Sequence, residues 1–198
     1  TGFKNGFYWP LGIASFTNGA GSSGDSASEL NDNIVSREES GNNRWCNWTS
    51  NAREEDWAGI IFGLEEVAYK FIDNLEIDFY TDHGASLPAE YEIQYYDGAY
   101  FNYPPEDPDN VTDAHPAGVE ENWKPVTNLQ APDQLSATET CHFTFDMVQT
   151  CAIRIKMKAQ PDKCLAITEM GAYEKKAVAK TSPVITDIYL DGQPLKGF

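Results

Sequence analysis

The chain has 198 residues, of which 31 are Asp or Glu and 14 are Lys or Arg, giving a formal net charge of -17. A field of that sign repels phosphate backbones and anionic headgroups, which argues against nucleic-acid and membrane-surface binding and leaves neutral ligands and cations as partners. The length suits one sizeable domain with tails, and no apolar run approaches the roughly 20 residues of a membrane-spanning helix.

The opening TGFKNGFYWPLGIASF lacks the charged start, apolar stretch and small-residue cleavage site of a secretory signal, so the chain reads as a piece of a larger protein whose export signal lies upstream. Residues 18–44 form a first long loop of Gly, Ser, Asn and acids. NNRWCNWTSNAREEDWAGIIFG, residues 42–63, then crowds Trp45, Trp48 and Trp57 into a polar stretch. Trp57 opens the apolar strand WAGIIFG, and both it and Trp45 are expected in the core with their indole N–H groups satisfied. Trp48, between Asn47 and Thr49, has two readings: a surface platform or a partly buried loop anchor.

Period-two alternation follows. NLEIDFY sets Leu75, Ile77 and Phe79 against Glu76 and Asp78, which predicts a half-buried strand that ends in the loop sequence YTDHG. YEIQYY sets Tyr91, Ile93 and Tyr95 against Glu92 and Gln94 in the same way. Residues 97–122 are a second long loop, in which prolines interleave with Tyr100, Phe101 and Tyr103 and are expected to hold aromatic faces outward. Trp123 is expected on a strand covering the sandwich. HFTFD reads as a strand, a turn is expected near Met147, and AIRIKMK sets Ile153, Ile155 and Met157 against Arg154, Lys156 and Lys158. The last strand of the domain is LAITEMGAYE, where Glu169 interrupts an apolar pattern at a place where a charge is costly. Short strands with one apolar face and no alternating helices predict an all-β antiparallel sandwich. The domain is expected to span 1–176, with 177–198 a linker and the truncated start of a following Ig-like module.

Cys46, Cys141, Cys151 and Cys164 show no zinc-site spacing. A tight hairpin at Met147 would set Cys141 opposite Arg154, so free, mostly buried thiols are expected. No nucleophile elbow, HExxH, P-loop or GxGxxG is present, and with so many acids no chosen carboxylate pair is informative. A non-enzymatic role is expected.

In chain order, PLGIASFTN, ELNDN before RWCNW, WAGIIFG, IDNLEIDFYTDHG, YEIQYYDG, NWKPVTN, HFTFDMVQTCAIRIKM and AITEMGAYE resemble the discoidin, or coagulation factor 5/8 C-type, domain of bacterial carbohydrate-binding modules. The nearest echo is the galactoside-binding modules of Gram-positive surface beta-galactosidases. The resemblance spans roughly Leu11 to Glu174. It implies an antiparallel jelly-roll β-sandwich of the galactose-binding-domain type, with sugar held by loops at one end and often a structural calcium ion. Asn33 stands where glycine is common in that family, and Cys46 lies inside the tryptophan motif.

A pyranose offers C–H groups on one face and hydroxyls at its rim, so an aromatic platform with a few polar readers suits it. The candidates are Asn43, Arg44, Asn47 and Trp48, then Tyr80, Asp82 and His83, then Phe101 and Tyr103 as an aromatic wall. Arg44 has the alternative of pairing with an acid, His83 of being merely solvated, and the loop aromatics of packing within their own loop. Calcium wants six to eight oxygens. Its candidate ligands are the carbonyl near Ser28, the Asn31 or Asp32 side chain, the Ser36 hydroxyl, the Thr168 carbonyl and the Glu169 carboxylate, against the alternative of Glu169 as an exposed residue at a bulge. The expected function is a monomeric, non-catalytic module that recognises galactose-containing glycans of lactose or N-acetyllactosamine type and holds an extracellular multimodular glycoside hydrolase to its substrate. The rival is an adhesion or spacer module on the same sandwich.

Overall fold

The computed structural model describes residues 2–4, 7–18, 25–38, 43–50, 53–64, 69–174, 189–190 and 193–194. The alternating segments become strands: β1 (Gly2–Lys4), β2 (Phe7–Trp9), β3 (Leu11–Ala14), β4 (Trp45–Cys46), β5 (Glu55–Ile61), β6 (Lys70–Phe79), β7 (Glu90–Tyr96), β8 (Trp123–Pro125), β9 (Cys141–Thr150), β10 (Ala152–Lys158) and β11 (Ala166–Tyr173). They form a five-stranded sheet, β3-β5-β10-β7-β8, and a four-stranded sheet, β4-β11-β6-β9, antiparallel throughout. The apolar faces meet as predicted. Ile60, Ile93, Ile153 and Ile155 from one sheet pack with Leu75, Ile77, Phe79, Phe143 and Ile167 from the other. Burial of each such side chain contributes about 1.5–3 kcal/mol. Trp45 is fully buried in this core, and its indole N–H donates to the Phe16 carbonyl at 2.9 Å.

The turn expected near Met147 is absent, which corrects the hairpin reading. β9 continues past Met147 to Thr150 beside β6, with a bulge where residues 145–147 stand opposite Asp73, and β10 joins the other sheet, so the chain crosses between sheets at Cys151. Thr150 makes that corner possible: its buried hydroxyl lies within hydrogen-bond reach of the carbonyls of Tyr96 (2.9 Å) and Ala152 (2.8 Å), between which its one proton is shared, and accepts from the Ala152 amide. Cys141 and Cys151 therefore lie at opposite ends of β9. All four cysteines are free and buried.

The outer face of the five-stranded sheet departs from the simple alternating pattern. Arg154, expected to face solvent, is fully buried, because the 97–122 loop folds back as a cover over this face. Leu11, Ile13, Trp57, Ile61, Tyr96, Phe101, Val111 and Trp123 form a second apolar cluster there. Trp57 is thus core, but core outside the sandwich interior. The Arg154 guanidinium stacks 4.4 Å from the Trp123 ring centroid and donates to Gln94 (2.7 Å) and Glu120 (2.6 Å). Trp123 covers the sheet as expected, with its N–H on the Ala117 carbonyl.

The cover is tied to the edge strand β3. Ala14 exchanges backbone hydrogen bonds with Pro108 and Val111, and Asp109 accepts from the Ala27 amide and the Ser26 hydroxyl. Ser26 caps the short 3-10 turn Ala27–Asn31. That turn presses on Gly12, where a Cβ would stand 1.7 Å from the Ala27 carbonyl oxygen, so no larger residue fits. Of the tail, only the pairing of Tyr189–Leu190 with Gln193–Pro194 is described; the rest of the expected linker and following module lies outside the described residues.

Candidate functional site

The pairs Cys46↔Ala166 and Phe79↔Ile167 place the end of β4, the end of β6 and the start of β11 at one end of the sandwich. The loops leaving that end carry Trp48, Tyr80, Asp82, His83 and Lys163. Trp48 is 52 % exposed, whereas Trp45, Trp57 and Trp123 are buried. Its amide donates to the Cys46 sulfur at 3.4 Å, which holds its backbone while the ring stays open.

Tyr80 is buried, and its hydroxyl donates to Asp82 at 3.3 Å. It positions the carboxylate and offers no stacking face. Arg44, also buried, lies 3.6 Å over the Tyr80 ring and donates to the Glu38 carbonyl. Asp82 organises its own loop, accepting from the amides of Gly84 (2.7 Å) and Ala85 (2.6 Å). Desolvation pushes the Asp82 carboxyl up, but those amides, the Tyr80 hydroxyl and the Arg44 charge outweigh it and hold it below the usual carboxylate value. His83 is exposed, and its carbonyl accepts from the Lys163 ammonium at 2.7 Å. Lys163 escapes sequence reasoning because it stands 80 residues from His83 along the chain.

Other candidates are placed elsewhere. Asn47 is buried and engaged at both amide atoms, donating to Asp56 (2.9 Å) and accepting from the Leu165 amide (2.6 Å), so it serves the core and is not presented at the surface. Asn43 donates to Asp32 and belongs to the acidic loop described below. Phe101 is buried in the outer cluster beside Tyr96 and His115, with Ile61 and Cys151, toward the opposite end. The loop prolines thus turn Phe101 inward, while Tyr100 and Tyr103 stay about half exposed. Tyr103 lines a separate concavity of about 470 Å³ with Glu106, Asp107, Asn110 and His115. No aromatic wall joins these rings to Trp48.

The candidate metal ligands converge in part. Asn33 adopts the left-handed conformation, φ 70°, which suits the glycine it replaces and which Asn tolerates. Its amide donates to Glu169 at 2.9 Å, and the Ile34 amide donates to Asp32 at 2.8 Å. Glu169 does sit at a bulge of β11, half-buried. Burial, and then the Asp32 charge, lift the Glu169 carboxyl to about 7. Glu29, which the sequence did not single out, is lifted to about 7 by burial and the same Asp32. Thr168 is buried with its hydroxyl on the Asp78 carbonyl, Asn31 donates to the Pro10 carbonyl, Ser28 is bonded to Ser26, and Ser36 is half-buried. Among the described residues, no three acidic, His or Cys side chains stand close enough to share an ion as they lie.

Residues 12–170 match the model of the beta-galactosidase-like, galactose-binding domain family. The chain belongs to that family. A solved structure from the Streptococcus pneumoniae beta-galactosidase BgaA is similar to this galactose-binding-family chain at 38 % identity and a TM-score of 0.76, covering 87 % of this chain and 96 % of the other. Two more distant structures share the fold. A Clostridium perfringens module in complex with GalNAc-beta-1,3-galactose has 8 % identity, TM-score 0.56 and coverage of 82 % and 93 %. The family 32 module of Clostridium perfringens NanJ in complex with galactose has 16 % identity, TM-score 0.52 and coverage of 82 % and 92 %. No match was found among curated proteins. The galactose-binding-type sandwich and its membership among carbohydrate-binding modules therefore stand as the sequence motifs implied.

Proposed function

We propose that this module binds galactose-terminated glycans of lactose or N-acetyllactosamine type at the Trp48–Asp82–His83 end and, as an extracellular and monomeric unit, keeps a parent glycoside hydrolase near its substrate. The observation that carries this reading is the half-exposed Trp48 indole on the same end as an ionised carboxylate and an exposed imidazole. The indole supplies a platform for the C–H face of the sugar; Asp82 accepts hydroxyl hydrogens, and His83 supplies a further polar contact. Tyr80, Arg44 and the Gly84 and Ala85 amides hold Asp82 in place. So shallow a face implies micromolar to millimolar single-site affinity, roughly, and its use is to raise the effective substrate concentration for a tethered catalytic domain.

Calorimetric titration with lactose and N-acetyllactosamine, with cellobiose as the off-class control, tests this. Saturable heat for the galactosides alone is expected. Silence with every sugar from a folded sample transfers the function to the adhesion or spacer reading.

Calcium at the Asn31–Ser36 and Thr168–Glu169 loops belongs to the same proposal. The fit rests on chemistry: burial first, and then the Asp32 charge, push the Glu29 and Glu169 carboxyls up to about 7. A divalent cation relieves that repulsion, with Glu169, Asp32 and backbone carbonyls near Ser28 and Thr168 as its ligands. Its role there would be to brace the loop against β11.

A further inference from the structure

Cys46 and Cys164 stand 118 residues apart in sequence, and their sulfurs approach to 3.8 Å, van der Waals contact, with the Cys46 thiol directed at Cys164. The surrounding backbone makes this pair a junction. Cys46 ends β4, an edge strand paired through two residues with β11, and its sulfur accepts the Trp48 amide. Cys164 lies in the segment entering β11. It is bonded in both directions to the 82–86 loop, its amide to the Gly84 carbonyl and its carbonyl to the Ser86 amide. A covalent link between the two sulfurs would tie the strand that leads into Trp48 to the loop that carries Asp82 and His83.

We propose that Cys46 and Cys164 are a disulfide site, closed by a low-molecular-weight or protein disulfide as oxidant, that staples the two halves of this end of the sandwich. Both residues are 8 % exposed, so the reaction belongs to folding or to a local opening of the short edge strand. The thiolate of one of the two cysteines attacks one sulfur of the oxidant and releases one thiol. The sulfur of the other then attacks that mixed disulfide and displaces the second thiol, so that two protein thiols and one oxidant disulfide become one protein disulfide and two reduced thiols. Cys141 and Cys151, at the two ends of β9, are left as bystanders. The bond does not depend on the sugar reading.

The test is to refold the whole chain from denaturant in a glutathione redox buffer and in reductant alone, then count thiols and map linked peptides. From the oxidising buffer, two titratable thiols of the four cysteines are expected. A mass about 2 Da lower and one cross-linked peptide pair joining Cys46 to Cys164 should accompany them, with a melting temperature roughly 5–10 °C above the reduced form. The Cys141→Ser, Cys151→Ser double variant should keep the bond. Cys46→Ser and Cys164→Ser should each lose it and melt alike in both buffers. Four thiols in folded protein from the oxidising buffer, or linkage through Cys141 or Cys151, overturns the proposal.

Discussion

At the scale of single residues, two neighbours divide cleanly between fold and face. Asn47 is buried with both amide atoms engaged, and Trp48 beside it is half exposed. Asn47→Ala leaves the Leu165 amide and Asp56 short of a partner, so chemical denaturation should show a loss of about 2–4 kcal/mol. Trp48→Ala should leave the melting temperature within a degree or two and weaken galactoside binding about 10-fold or more in calorimetry. Asp82 adds a pH signature. Its folded pKa lies below the ordinary 3.8, so its contribution is fully present above that value and is lost as pH falls through the lower folded one. Affinity for lactose should therefore stay flat from pH 7 down to about 4.5 as far as Asp82 is concerned; a titration inflecting between 5 and 4.5 contradicts the role given to this carboxylate. Trp48 was legible as a candidate because polar residues flank it, whereas the burial of Asn47 has no local sign, since its partner Leu165 stands 118 residues away.

At the scale of elements, the strands followed the alternation of apolar residues, and their outer faces did not. Period two says which side chains share a face, but not what lies on top of it. AIRIKMK places Arg154 opposite Ile153 and Ile155, yet only the return of the 97–122 loop buries it between Trp57 and Trp123 with Glu120 as its counter-charge. Removing that carboxylate leaves a fully buried guanidinium with Gln94 alone. Glu120→Ala should thus cost about 1–3 kcal/mol in urea unfolding, more than a surface pair would, because one partner is wholly desolvated. The corner at Thr150 is a second case. Reading HFTFDMVQTCAIRIKM as a hairpin is reasonable for two alternating runs in succession, but Thr150 and Cys151 carry the chain across to the other sheet instead.

Across the whole molecule, charge dominates. With a net charge of -17, self-repulsion opposes the folded state, and the Glu29–Asp32–Glu169 loop concentrates it. Millimolar calcium at neutral pH should raise the melting temperature well beyond the increment from sodium at matched ionic strength, and Glu169→Gln should remove that excess. Equal increments from both salts would reduce the effect to screening and leave the loop without a specific ion.

The sequence by itself determined the all-β sandwich, the inward faces of its strands, the burial of Trp45 and the family, because these depend on local alternation and on the order of motifs along one chain. The tertiary structure decided which polar residues are left to meet a ligand. It turned Phe101 inward, spent Asn43 and Asn47 on loop and core contacts, placed Tyr80 behind Asp82, and brought Cys46 to Cys164 and Lys163 to His83. Those outcomes depend on contacts between segments distant in sequence and on which groups are desolvated when the loops close, and neither quantity has a local signature.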